Sequence, residues 1–339
     1  MKILLISPTQ TGIGGIAQHI QNLSKFLKKN GHYVEIISSE NTLTIPIKGL
    51  KNPSFMFSSY LKSKFKKNFD IIHAHNIPAA LAMKNFSGKK ILTIHGIYSD
   101  QIRQLHGKTK GKILEKIELK ALSLADVITV VSNEALIHYS KNTKNIFQIP
   151  NGINSKFSNY NDDVRFTNQI IFVGRLSKEK GIDTLIKIAK KLPLEINLII
   201  IGQGPEKEKI SKLSQKENIH YFGQKNHEET ISLIKGSKIL IQPSFSEGIS
   251  STILEAMVCK TAVIASNVGG NSELIKNNQS GFLIDPYDDE TFVSKIIQLL
   301  EDTSLRDKFS NMGFLDSKKF DWDVVGEKYL DLYQSLFRL

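Results

Sequence analysis

Cysteine is almost missing from this chain of 339 residues. Its one cysteine, Cys259, excludes an internal disulfide and a cysteine-built zinc cluster. Long apolar runs are missing too: nothing approaches the roughly 18 residues that a membrane-spanning helix needs. Ile3-Leu-Leu-Ile6 is too short for the apolar region of a signal peptide and reads as a first strand. These absences predict a cytoplasmic protein without a membrane span. At 40% hydrophobic residues, the chain can fill two domains, each with its own core.

Acidic residues are scarce in one half only. Residues 1–160 hold 22 Lys/Arg against 8 Asp/Glu, a net of +14, while residues 161–339 hold 23 against 25, a net of −2. The formal net charge of +12 is therefore carried by the N-terminal half. Lysines cluster at Lys62, Lys64, Lys66 and Lys67, and again at Lys108, Lys110, Lys112, Lys116 and Lys120. Solvated helix faces explain scattered lysines. A one-sided excess points instead to an anionic partner, peripheral to a membrane surface or bearing phosphate. Aromatics are not interleaved with the lysines as base stacking requires, so nucleic acid ranks below a membrane.

What the chain does contain is an alternation of strand and helix signals, the mark of α/β architecture with parallel sheets. Strands are predicted at Lys2–Ser7, His32–Ser38, Asp70–Ala74, Lys90–Ile94 and Val127–Val131, with amphipathic helices at Ile16–Lys29 and about Lys110–Ala125. Residues 154–168 read as a linker. The pattern restarts with strand Gln169–Val173, loop Gly174–Gly181 and helix Ile182–Lys191, and continues through strands at Glu195–Ile201, Ile219–Phe222, Lys238–Gln242 and Thr261–Ala265. The expectation is two Rossmann-like domains whose parallel sheets face each other across a cleft. The first covers 1–155, with a C-terminal helix over about 321–339 packing back on it; the second covers 156–320. Trp322, Tyr329, Leu330 and Tyr333 are the expected anchors of that C-terminal helix.

The densest chemical signal is Pro243-Ser-Phe-Ser-Glu247-Gly-Ile-Ser-Ser-Thr-Ile-Leu-Glu255. A strand, a small-residue loop and a helix start make a site for a nucleotide's phosphates. Glu247 and Glu255 on either side can accept hydrogen bonds from sugar hydroxyls. Thr252-x-x-Glu255 also reads as a capping box, which would make Glu255 a helix-start device. Arg175 and Lys180 lie in the first loop of the second half, where they can clamp a diphosphate or simply be a charged loop. Gly14-Gly15 opens the first helix as an anion site or a tight turn. His95 follows a buried strand, where an open α/β sheet presents its ligand loops, or it is a hydrogen-bonded structural histidine.

Taken in order, these motifs resemble one family nearly end to end. They comprise Gly14-Gly15, Asp70-Ile-Ile-His-Ala-His75, Thr93-Ile-His95-Gly96, Ile149-Pro-Asn-Gly-Ile153, Arg175-x4-Lys180, Ile201-Gly-Gln-Gly-Pro205, Glu247-x7-Glu255 and Val268-Gly-Gly270. The family is the retaining glycosyltransferases of the GT-B fold, glycosyltransferase family 4. The resemblance implies transfer of a sugar from a nucleoside diphosphate sugar, a UDP-sugar by expectation, to a hydroxyl of a glycan or lipid-linked acceptor in cell-surface polysaccharide or glycolipid assembly. Catalytic roles fall to His95, Arg175, Lys180 and Glu247. Donor binding falls to Gly14, Gly15, Gly174, Gly204, Gly248, Ile249, Ser250, Ser251 and Glu255, and the acceptor side to His75 and Asn76. No cofactor or metal is expected. Gly96 stands where the family often has Asp, and Ser250-Ser251 where it often has Gly or Pro. Two other readings stay open: a nucleotide-sugar epimerase on the same fold, and a non-catalytic partner of a membrane transferase.

Overall fold

A computed structural model describes residues 1–11, 15–47, 49–97 and 108–338, without the side chains of 108–114. The chain forms two compact units. One comprises Met1–Gly152 with Trp322–Leu339, the other Ile153–Asp321. Each is built on a six-stranded sheet whose strands all pair in parallel.

The first sheet contains β1 (Lys2–Ser7), β2 (Tyr33–Ser38), β3 (Ile71–His75), β4 (Lys89–Ile94), β5 (Val127–Val130) and β6 (Ile146–Gln148), in the order β2-β1-β3-β4-β5-β6. Both faces are covered, so apolar residues run continuously along the strands. Leu4, Ile6, Ile72 and Leu92 enter one core. Ile3, Leu5, Ile71 and Ile91 enter the other, against helix Gly15–Lys29 and the C-terminal helix Trp322–Ser335. Those two helices cross closely at Gly326, where a Cβ would come within 2.5 Å of the Phe26 ring. Trp322, Tyr329 and Tyr333 are buried on this face, and Leu330 packs against it partly buried.

The second sheet contains β7 (Gln169–Val173), β8 (Asn197–Ile201), β9 (Ile219–Gly223), β10 (Ile239–Gln242), β11 (Ala262–Ser266) and β12 (Phe282–Ile284), in the order β12-β11-β10-β7-β8-β9. The direction of winding reverses between β7 and β10. Loops leaving the carboxyl ends of two such strands diverge to opposite faces and leave a crevice where ligands bind. In the first unit the reversal falls between β1 and β3.

The expected strands occur with ends displaced by a residue or two. One helix buries no apolar stripe for the sequence to betray. Helix Lys51–Ser63 buries Phe55, Ser59 and Ser63, a face of one phenylalanine and two serines. Part of the expected linker is a short 3-10 turn, Ser155–Asn159, capped by Asn154 Oδ1 accepting from the Lys156 amide.

Candidate active site

In the N-terminal unit the period of two places a polar cluster in the sheet. Ile71, His73 and His75 point to one face of β3. Ile91 and Thr93 share that face on β4, with His95 just past its end, and Val127 and Thr129 share it on β5. His73 is bonded at Nδ1 to Tyr333 Oη and at Nε2 to Thr93 Oγ1, both at 2.6 Å. Thr93 in turn meets Thr129. His75 Nδ1 lies 3.2 Å from His95 Nε2. The His95 amide donates to Asn76 Oδ1 at 3.0 Å. Asn76 itself sits at φ 64°, a left-handed conformation that asparagine tolerates better than most residues.

Helix Gly15–Lys29 brings His19 against this group, edge-on to His95 and Trp322. His19 and His75 are buried, and burial holds both well below the ordinary histidine range, helped by the neighbouring rings. Burial lowers His73 to about 3 and His95 to about 4, the Asn151 side chain pulling His95 the other way. His95 keeps a partly open face, yet enough protein surrounds its ring to disfavour charge. The four rings are therefore neutral near pH 7. His19, His75 and His95 each place a nitrogen within 4.8 Å of the others, a set that a transition metal would accept. The 3.2 Å contact is also the length of a hydrogen bond, which accounts for the His75–His95 pair without an ion.

In the second unit the loops after β7 and β10 meet. Lys180 Nζ lies 2.7 and 2.8 Å from the two carboxylate oxygens of Glu247. Ser244 Oγ at 2.7 Å and Gln242 Nε2 at 3.2 Å also donate to Glu247 Oε1. The Glu247 side chain is only 7% exposed, so these donors replace the water it gives up. Gly181 permits the approach: at φ 70° it passes so near the Pro243 carbonyl that a Cβ would lie 1.7 Å from that oxygen. Gly204 serves a similar close crossing, where a Cβ would meet the Leu176 carbonyl at 2.2 Å. Around Gly174 space is less tight, 3.3 Å to the Phe172 ring. Arg175 makes no ion pair with Glu247. Its side chain is 64% exposed and its nearest acid is Glu179 at 4.0 Å.

Glu255 corrects the helix-start reading. The N-cap of helix Ser251–Val258 is Ser250, whose Oγ accepts from the Ile253 amide, so Thr252 is inside the helix and Glu255 lies in its second turn. Glu255 Oε1 meets His227 Nε2 at 2.9 Å, and the His227 ring sits edge-on to Phe157. His227 escapes a sequence reading because nothing links it to Glu255 until β10 and two helices are packed. Ile249 and Ser250 are buried, while Gly248 accepts at its carbonyl from the Gly270 amide and is thereby tied to the Val268-Gly-Gly270 loop. The first amides of the Ser251 helix have no acceptor within the helix. In the first unit Gly15 begins the helix that carries His19, and His75 is wholly buried against His95 rather than lining open surface. Gly14 and the side chains of Lys108, Lys110 and Lys112 lie outside the described residues.

Two parallel doubly wound units with ligand loops at their strand ends define the class, an α/β enzyme fold of the GT-B type. Comparison with known proteins supplies the family. The family described as Glycosyltransferase Family 4 matches residues 13–157, and that described as Glycosyl transferases group 1 matches residues 161–315. An uncharacterized glycosyltransferase of Methanocaldococcus jannaschii is 30% identical over 359 residues, spanning 99% of both chains. Sucrose-phosphate synthase from Thermosynechococcus elongatus has a similar structure, with a TM-score of 0.84 at 19% identity over 99% of both chains. HepE of Anabaena, solved with UDP and glucose, aligns with a TM-score of 0.76 at 18% identity over 99% of this chain and 100% of that one. The chain belongs to glycosyltransferase family 4 and is a GT-B glycosyltransferase.

Proposed function

We propose that this protein is a retaining glycosyltransferase that uses a UDP-sugar and transfers to a hydroxyl of a glycan or lipid-linked acceptor. The observation that carries the reading is the junction of the β7 and β10 loops, where Lys180 and Glu247 are held together, with the exposed Arg175 five residues before Lys180 in the same loop. A departing nucleoside diphosphate gains negative charge, and cations preset at that point stabilise it. Arg175 offers a planar fork of donors suited to phosphate, and Lys180 a point charge. As Lys180 turns toward the diphosphate, a carboxylate oxygen of Glu247 is released for the hydroxyls of the sugar. Glu255, fixed by His227, takes the ribose hydroxyls, and the first amides of the Ser251 helix face phosphate. The acceptor's proton passes to the departing phosphate oxygen on the same face. His95 contacts the transferring sugar as a neutral hydrogen-bonding group, and Asn76 and His75 fix its backbone and ring.

The UDP complex of HepE supports uridine over the other nucleosides. The family pattern supports retention, and the basic N-terminal half supports an acceptor that carries phosphate on its lipid. No described helix is long and apolar enough to cross a membrane. Thermal unfolding with UDP, GDP or ADP tests the donor. A nucleotide at about 100 times its Kd stabilises by about 2.7 kcal/mol. The expected shift is with UDP alone and disappears in Arg175→Ala. No shift with any nucleotide sinks the donor assignment and favours the non-catalytic partner. Anomeric NMR of the product tests retention.

A further inference from the structure

The hydrogen bond between His75 and His95 accounts for two of the histidine rings in the N-terminal unit. It leaves His19 without an account. That residue is 2% exposed, and neither Nδ1 nor Nε2 makes a hydrogen bond of good geometry among the described residues. The Asn151 side chain acts on both His19 and His95, and can serve at most one nitrogen of His19. His75 Nε2 is buried without a partner as well. A neutral imidazole carries one donor and one acceptor, and burying either unpaired costs stability. A leucine at position 19 would fill the space against Trp322 and Tyr329 without that cost, so the histidine points to a ligand.

The spacing of the rings says what kind. The centroids of His19, His75 and His95 stand 4.9, 5.3 and 5.5 Å apart. One nitrogen of each lies within 4.8 Å of the others, and His75 Nδ1 is 3.2 Å from His95 Nε2. A zinc–imidazole bond is about 2.0–2.1 Å, which sets two such nitrogens about 3.3 Å apart on a tetrahedral ion and their ring centres about 5 Å apart. The three rings already have that spacing, and rotating a ring brings its nitrogen in. His73 is not available, since Tyr333 and Thr93 take both its nitrogens. Its ring lies 4.1 Å from that of His75 and steadies it. No carboxylate or thiol belongs to the set. Imidazoles alone select zinc, copper or nickel over magnesium and calcium, which require oxygen ligands.

We propose that His19, His75 and His95 form a three-histidine site for a divalent transition metal, represented by zinc, with its fourth position at the partly open face of His95. The ion is not a cofactor of transfer. It occupies the His95 ring that the proposed function gives to the transferring sugar, so zinc inhibits. That consequence rests on the proposed function, whereas the site rests on the rings themselves. Because no carboxylate neutralises the ion, the affinity should be on the order of micromolar, weaker than that of a structural zinc.

Titration of the untagged, chelator-treated full chain with zinc chloride tests the site. Calorimetry at pH 7 should show one ion per chain, with a rise in melting temperature. Zinc-edge X-ray absorption of the wild-type complex should count three imidazoles. His19→Phe keeps a ring against Trp322 and should weaken binding at least about 100-fold. The competing surface pair is His32 Nδ1 with the amino terminus, 3.2 Å apart, so His32→Asn should leave binding unchanged. Absence of zinc binding, two or fewer imidazoles at the edge, binding that survives His19→Phe, or binding lost in His32→Asn each overturns the proposal. Should His19→Phe fail to fold, the imidazole count on the wild-type chain still decides. Zinc that fills the site without slowing sugar transfer would uphold the site and remove His95 from its proposed role.

Discussion

In the N-terminal unit four histidines are pressed into a sheet face and kept neutral by burial, whereas in the second unit a lysine and a glutamate meet as an ion pair within 2.8 Å. Both groups lie at the carboxyl ends of parallel strands, so topology alone does not set their chemistry. The difference comes from what each site can offer a charge. Around Glu247, Ser244, Gln242 and Lys180 all donate. Around His19 and His75 the neighbours are other rings, and His19 finds no hydrogen bond of good geometry among the described residues. On the proposed function, the second-unit site meets a diphosphate and needs fixed charge. On the same reading, the histidine site meets sugar hydroxyls, for which neutral donors and acceptors serve better than charge.

The comparison is broken most severely at Glu247. Glu247→Ala should lower turnover by at least about 10³-fold, since it removes the carboxylate proposed to face the sugar and frees Lys180 at once; sugar transfer from UDP-sugars reads it, and unchanged turnover would remove Glu247 from the site. Arg175→Ala should cost about 10²- to 10³-fold in kcat with an unaltered melting temperature, because the side chain is exposed and carries no packing. Lys180→Ala should differ by also destabilising the fold, by on the order of 3 kcal/mol, because it leaves a buried carboxylate short of its cation. Equal melting temperatures for the two variants would show that the ion pair does not matter to stability.

Acid should sharpen the contrast from the other side. Above pH 6.5 the four histidines are neutral in both folded and unfolded chains and contribute nothing to the pH dependence. Below 6.5 the unfolded chain takes up protons, while in the fold His95 does so only near about 4 and His73 near about 3. Stability should therefore fall steadily from pH 6.5 toward 3, by up to about 1.4 kcal/mol per pH unit for each histidine. Urea titrations across that range measure it, and His73→Asn should flatten the slope. A flat profile would mean that the rings already hydrate in the native state.

Two smaller effects follow. His227→Ala should weaken UDP binding by about tenfold through the unfixed Glu255, as calorimetry would show, with a modest loss of stability. Gly326→Ala should destabilise by about 1–3 kcal/mol through the Phe26 ring. A melt resolved into two transitions should move only the one that belongs to the N-terminal unit.

Some of this was legible before any coordinates. Most strands of both sheets follow from short apolar runs, because strands buried on both faces need no alternation; the short edge strand Phe282–Ile284 was not read. Arg175, Lys180, Glu247 and Glu255 stand out by residue type and spacing. Gly181 was legible only as a loop glycine; its left-handed backbone beside the Pro243 carbonyl is a structural fact. The period of two also contains the histidine face, through His73 and His75 on β3, Thr93 on β4 and His95 just past it, once neighbouring strands are known. Helix Lys51–Ser63 was not legible, because its buried stripe is mostly serine.

Sequence by itself determined the class, two parallel α/β units of family 4, and most of the residue types at the strand ends. Those are local facts: an apolar run, a glycine that must turn, a charge in a loop. Tertiary structure alone decided the partners. It put Lys180 on Glu247 across 67 residues of chain, Glu255 on His227 rather than on its own helix start, and His73 on Tyr333 across 260 residues. Such pairings depend on strand order and on which face a helix covers, and no spacing along the chain encodes either.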